Sequence, residues 1–216
     1  MEQAIDRLVR QQPNRAVVIA ASNSHDDGIH AQGTVPAAAP YELAWAVAPG
    51  DGSENELEIW YPGAARLDVE IVAPNGQKIG TLSPGNSGTV TRNGTQVLFA
   101  ASRLADPNNG DNTIGIFLSR RLAPGTWKLR LTNTTGAEVA FHAWIERDDS
   151  GQSTFLPPAR DDHYTLGSIS CGHEAIVVGS YDAHNVRRLD RFPSSPALAQ
   201  LVTGATSLSF RPPATQ

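Results

Sequence analysis

Hydrophobic and polar positions change period three times along the chain. Ala4, Ile5, Leu8 and Val9 fall at helical spacing before Pro13-Asn14, which predicts a short amphipathic helix. Val17 to Ala21 is a continuous apolar run of strand length, the pattern of a parallel strand covered on both faces. The run stops at Ser22-Asn23, and "TVPAAAPYE" (34–42) reads as a linker.

From Tyr41 to about Arg147 the period becomes two. "ELEIWYP", "RLDVEIVAP", "QKIGTLS", "GTVTRN", "QVLFAAS", "NTIGIFLS", "GTWKLRLTN" and "VAFHAWIER" are short, mostly alternating, and separated by Pro-Gly, Asn-Gly and other Gly-rich turns. Strands at this spacing predict an antiparallel β-sandwich of jelly-roll type. Leu57, Ile59, Leu67, Val69, Ile71, Ile114, Ile116, Leu129, Leu131 and Trp144 are expected to face its core. After "GQSTFLPPARDDHY" a second apolar run, "AIVVGSYDA" (175–183), restores α/β character. The expected class is therefore mainly β, a jelly-roll-like sandwich flanked by a small remnant of a parallel α/β sheet. Its expected limits are 1–35 and 151–192 for the α/β pieces, 36–150 for the sandwich and 193–216 for an aberrant tail.

Composition sharpens this picture only where it excludes. With 17 Lys+Arg against 22 Asp+Glu, the net charge of -5 and the scattered basic residues give no nucleic-acid surface. No apolar run is long enough to cross a membrane as a helix, and no signal peptide is expected. Cys171 is the only cysteine, so an internal disulfide is impossible; a packing role is expected for it.

The apolar runs carry a resemblance. "VVIAASN" (17–23) is similar to the strand of subtilisin-like serine peptidases that ends in AAGN or ASN. "GIHAQG" (28–33) is similar to the segment that follows in members carrying an inserted sandwich. "GSISCGHEAIVVGSYDA" (167–183) resembles a later strand of that family, and "GTWKLRLTN" is typical of the insert. The resemblance implies that Asn23 is the oxyanion-hole donor, a neutral amide held where a carbonyl oxygen becomes negative. It implies a peptide or protein substrate for the intact enzyme and no cofactor. The family's Asp and His precede this asparagine, and its serine opens a later helix reading GTSMAAP. None of those motifs occurs here, and "TGATSLS" (203–209) lacks the small-residue helix and proline. A catalytically incompetent fragment is the expectation, because the triad works only as a set.

The tail fits that expectation. "TSLSFRPPAT" (206–215) can be encoded so that a shifted frame reads "KPELSAPGH", a motif of the family. Residues 193–216 are thus expected to be the product of a frame shift, and the exposed apolar strands before them to self-associate.

Other constellations are weaker. The histidines at 25, 30, 142, 163, 173 and 184 lack H-x3-H or HExxH spacing, so no metal is expected. Asp106, Asn108, Asp111 and Asn112 offer oxygens in "ADPNNGDN", but without the EF-hand pattern an ordinary turn is favoured over calcium. A stand-alone binding module, a peptidase regulator or carbohydrate binder, is the alternative; Trp45, Trp60, Trp127 and Trp144 would be its candidate aromatics, with Trp127 and Trp144 favouring the core.

Overall fold

The computed structural model describes residues 1–51, 54–92, 94–119, 122–146, 151 and 153–179. The tail expected to be aberrant (193–216), His184 and the end of the second apolar run lie outside them. The described residues divide into two compact units, one from residues 1–23 and 166–179, the other from residues 24–165.

In the first unit, helix α1 (Glu2–Arg10) is followed by strand β1 (Val18–Ala20). β1 pairs in parallel with β14 (Ile176–Val178), in register Val18↔Ile176 and Ala20↔Val178. Alternation splits the pair into faces. Ile19 is buried, whereas Val18 and Ile176, directly paired, are 63% and 48% exposed.

The larger unit contains strands β2 (His30–Val35), β3 (Tyr41–Val47), β4 (Asn55–Tyr61), β5 (Leu67–Val72), β6 (Lys78–Leu82) and β7 (Ser87–Arg92). They are followed by β8 (Thr95–Arg103), β9 (Asn112–Leu118), β10 (Gly125–Asn133), β11 (Val139–Ile145), β12 (Thr154–Phe155) and β13 (Arg160–Asp161). They form a five-stranded sheet, β12-β3-β10-β5-β6, and a seven-stranded sheet, β13-β2-β11-β4-β9-β8-β7. Every pairing in both is antiparallel. β2–β11, β3–β10 and β4–β9 are nested pairs that alternate between the sheets, the connectivity of a jelly roll. The protein is thus mainly β, an antiparallel sandwich with a small parallel sheet.

Period-two alternation builds the core. Leu43, Trp45, Leu57, Ile59, Leu67, Val69, Ile114, Ile116, Leu129, Leu131, Phe141 and Phe155 are buried between the sheets. Trp45 and Trp127 stack there with ring centroids 5.9 Å apart. Nine of the ten side chains expected to face inward do so; Trp144 does not. It alternates with the buried Ala143 and Ile145, so its indole lies on the outer face, where Nε1 donates to the Tyr164 carbonyl at 2.9 Å.

Residues on both sides of 36–150 also join the sandwich. β2 pairs with β11, so "HAQGTV" is an interior strand, and β12 and β13 extend the two sheets. The outer face of β10 is held differently, by Arg130 to Glu42 and Glu70 and by Lys128 to Glu42. These pairs are half-exposed and weakened by solvent. Leu129→Ala is expected to cost about 2–5 kcal/mol, and Arg130→Ala far less; urea denaturation midpoints of the two variants, measured in parallel, check the ordering.

Candidate functional site

Asn23 lies in a bend three residues beyond the end of β1 and is exposed. The backbone that carries it is tied to β14: Ala21 N–H donates to the Val178 carbonyl at 2.9 Å, and Gly167 N–H to the Ala21 carbonyl at 3.0 Å. Ser22 has φ +124°, a rare conformation for a residue with a side chain, and it turns the chain sharply out of the strand. Asn23 therefore stands beyond the carboxyl end of a parallel pair, the place where open α/β sheets present their ligand-binding groups.

The opposite end of the pair is held by polar contacts. Asp6, buried in α1, accepts hydrogen bonds from the backbone N–H groups of His173 and Glu174, both at 2.9 Å. A Cβ on Gly172 would meet Asp6 Oδ1 at 2.9 Å and displace this carboxyl group. Arg10 adds an ion pair to Glu174 at 2.8 Å. Cys171 is exposed rather than packed, and its thiol points at the Gly167 carbonyl at 3.7 Å. Desolvation of the sulfur and the Glu2 carboxylate push its pKa up, the opposite of what a nucleophile needs.

Other ionisable and polar groups gather in the sandwich. His30, at 0% exposure, has Nε2 3.1 Å from His142 Nδ1. The rings of Trp144 and Tyr164 lie with centroids 5.0 and 5.3 Å from that of His30. His163 contacts Asp161 at 2.6 Å, and His25 Nδ1 lies 2.9 Å from the Asp162 carbonyl oxygen. Spacing along the sequence gave no hint that His30, His142 and Tyr164 meet; register between β2 and β11 brings the two histidines together, and the chain leaving β13 brings Tyr164 to them. Among the described residues, no group of three or more His, Cys, Asp or Glu side chains is placed to hold a metal.

The oxygen-rich loop is committed to structure. Asp106 Oδ1 accepts from Asn108 N–H at 2.9 Å, and Asn109 Oδ1 from Asp111 N–H at 3.0 Å. Asn112, fully buried, accepts from Ala105 N–H and donates Nδ2 to the carbonyls of Pro62, Gly63 and Ala65. Gly63 must be glycine, because a Cβ would sit 2.0 Å from the Gly110 carbonyl oxygen.

Two concavities mark the sandwich. One of about 530 Å³ is lined by Pro74, Ile79, Val90, Leu98, Leu122 and Trp127 among others, with no ionisable side chain among the described residues of its wall. The other, about 330 Å³, gathers Glu54, Glu56, Glu146, Phe117 and Ser119. Burial, then the Glu58 and Glu146 carboxylates, push Glu56 up from the usual carboxylate range. The alternation of "ENELEIW" (54–60), acid at every second position, was the available signal for this outward row. Among the described residues, neither concavity sets a histidine beside a serine, so neither shows a triad. Of the four tryptophans weighed for carbohydrate binding, Trp45 and Trp127 are core; Trp60 and Trp144 stand half-buried on the outer face of the larger sheet.

Replacing Asp6 by Ala leaves two part-buried N–H groups without their acceptor, at a cost of about 1–3 kcal/mol. Amide hydrogen exchange is expected to accelerate at His173 and Glu174 while amides of β10 keep their rates.

Neither a protein-family model nor a curated protein matches the sequence. Among solved structures, the chain is similar to the CspB protease of Clostridium perfringens, with TM-score 0.62 and 21% identity, over 77% of this chain. The chain spans 35% of the length of that protease.

Proposed function

We propose that the chain is a catalytically incompetent part of a subtilisin-like serine peptidase, in which Asn23 is the oxyanion-hole donor without its nucleophile and base. The observation that carries this reading is the position of Asn23 beyond the carboxyl end of β1, in a strand paired in parallel with β14. The likeness of fold to a protease, over a third of that protease's length, supports it. A carboxamide there donates to a carbonyl oxygen as it becomes negative, which lowers the barrier to acyl transfer only when a serine attacks that carbonyl. The sandwich would serve stability or contact with a substrate or partner protein. A fluorophosphonate probe is expected to leave the chain unlabelled, and peptide substrates to remain uncleaved in both the wild type and Asn23→Ala. Labelling that disappears on replacement of one serine overturns the reading.

The same fold position supports self-association. A parallel pair is stable when both faces are covered, yet Val18 and Ile176 present a joint apolar surface. Size-exclusion chromatography with light scattering is expected to give a dimer, and Val18→Glu or Ile176→Glu a monomer. A monomeric wild type across micromolar concentrations refutes the association.

A further inference from the structure

His30 belongs to the outward alternation of β2, opposite Ala31 and Val35, yet it is completely buried. What covers it is the segment 160–165. β13 lays Asp161 beside His30 in register, and the Tyr164 ring closes over both imidazoles, 4.8 Å from that of His142. The segment is attached by polar bonds: Trp144 Nε1–H to the Tyr164 carbonyl, Gln32 Nε2–H to Asp161, and Arg160 Nη2–H to the Asp26 carbonyl at 2.9 Å.

We propose that the His30–His142 pair is a protonation-sensitive latch, which holds residues 160–165 on the outer face of the larger sheet at neutral pH and releases them on acidification. The contact between the two imidazoles requires one nitrogen to accept, so at least one ring must be neutral. With both rings protonated, donor meets donor and two positive charges lie within a few ångströms, one of them on the fully buried His30.

The surrounding charges define the window. Burial, then the neighbouring His142, lower His30 from 6.5 to about 4, against the opposing pull of Asp161. Burial also lowers His142, again against Asp161. Asp161 stays below the usual range: burial raises it, but hydrogen bonds from His163 and the charges of His163 and His30 outweigh that. The other charged groups nearby are His163 on Asp161, Arg160 paired with Asp162 at 3.5 Å, and Glu58 of β4, which accepts from Trp60 and lies opposite Trp144. Thus one carboxylate faces two histidines, too little to hold both as cations. The folded pKa of His30 lies below its unfolded value, so the closed state binds fewer protons than the open one. The latch is fully stable above about pH 6.5, weakens as the pH falls, and loses this contribution below about 4. The released segment leads into Leu166, where the smaller unit resumes.

Amide hydrogen exchange on the full chain, corrected for the intrinsic pH dependence of exchange, tests the latch. Protection of residues 160–165 is expected to fall on the order of 10- to 100-fold between pH 7 and 4.5, while β10 remains protected. In His30→Phe and His30→Gln, two variants that cannot titrate at this position, the fall is expected to shrink to under about 3-fold. In the wild type, the His30 ring resonances should titrate well below 6.5. Equal loss in β10, no loss in residues 160–165, a loss that persists in whichever variant folds, or an ordinary His30 titration each overturns the proposal.

Discussion

Two facing sheets exclude water only if every strand turns alternate side chains towards the other sheet, and β10 is where this requirement binds most tightly. It pairs with β3 on one side and β5 on the other, and its Trp127, Leu129 and Leu131 all enter the core. Any shift of register by one residue would send Lys128 and Arg130 inward and strip Glu42 and Glu70 of their partners. The apolar interior and the charged exterior thus fix the same register from opposite sides. The rest of the sandwich inherits it through the nested pairs.

The smaller unit obeys another rule. Its parallel strands are three residues long and cannot supply enough buried surface by themselves. A buried carboxylate in α1 compensates in part, holding the turn before β14 by two backbone N–H groups. Asn23 depends on this arrangement, because the strand from which it emerges keeps its place only while β14 lies beside it.

The sequence made the sandwich readable where alternation was strong, and the same alternation misled where it was ambiguous. "GTWKLRLTN" and "ELEIWYP" each have one unmistakable apolar face. In "VAFHAWIER" both faces are large, Phe141, Ala143 and Ile145 on one and His142 and Trp144 on the other; the strong alternation alone placed Trp144 in the core, and Ala143 took the place. "HAQGTV" has too few apolar positions to announce a strand, and only its partner β11 defines it. β12 and β13 are two residues each and owe their existence to edges already formed. The end of β1, from which Asn23 emerges, was legible because a strand and its end are local features. The His30 cluster was not, since His30 and His142 are 112 positions apart and meet only through register.

Asn112 shows what such long-range ties mean for changing the protein. The loop before it is polar, rich in Asn and Gly, and by composition an obvious place to graft an epitope or a reporter. Its last residue, however, holds three carbonyls of the turn at 62–65, and the Gly110 carbonyl rests against Gly63. The two turns form one mechanical piece, so a graft in the first would pull open the floor of the second, and the exposed, unconnected turn at Asn75-Gly76, whose glycine has nothing within 4 Å of its missing Cβ, is the better host.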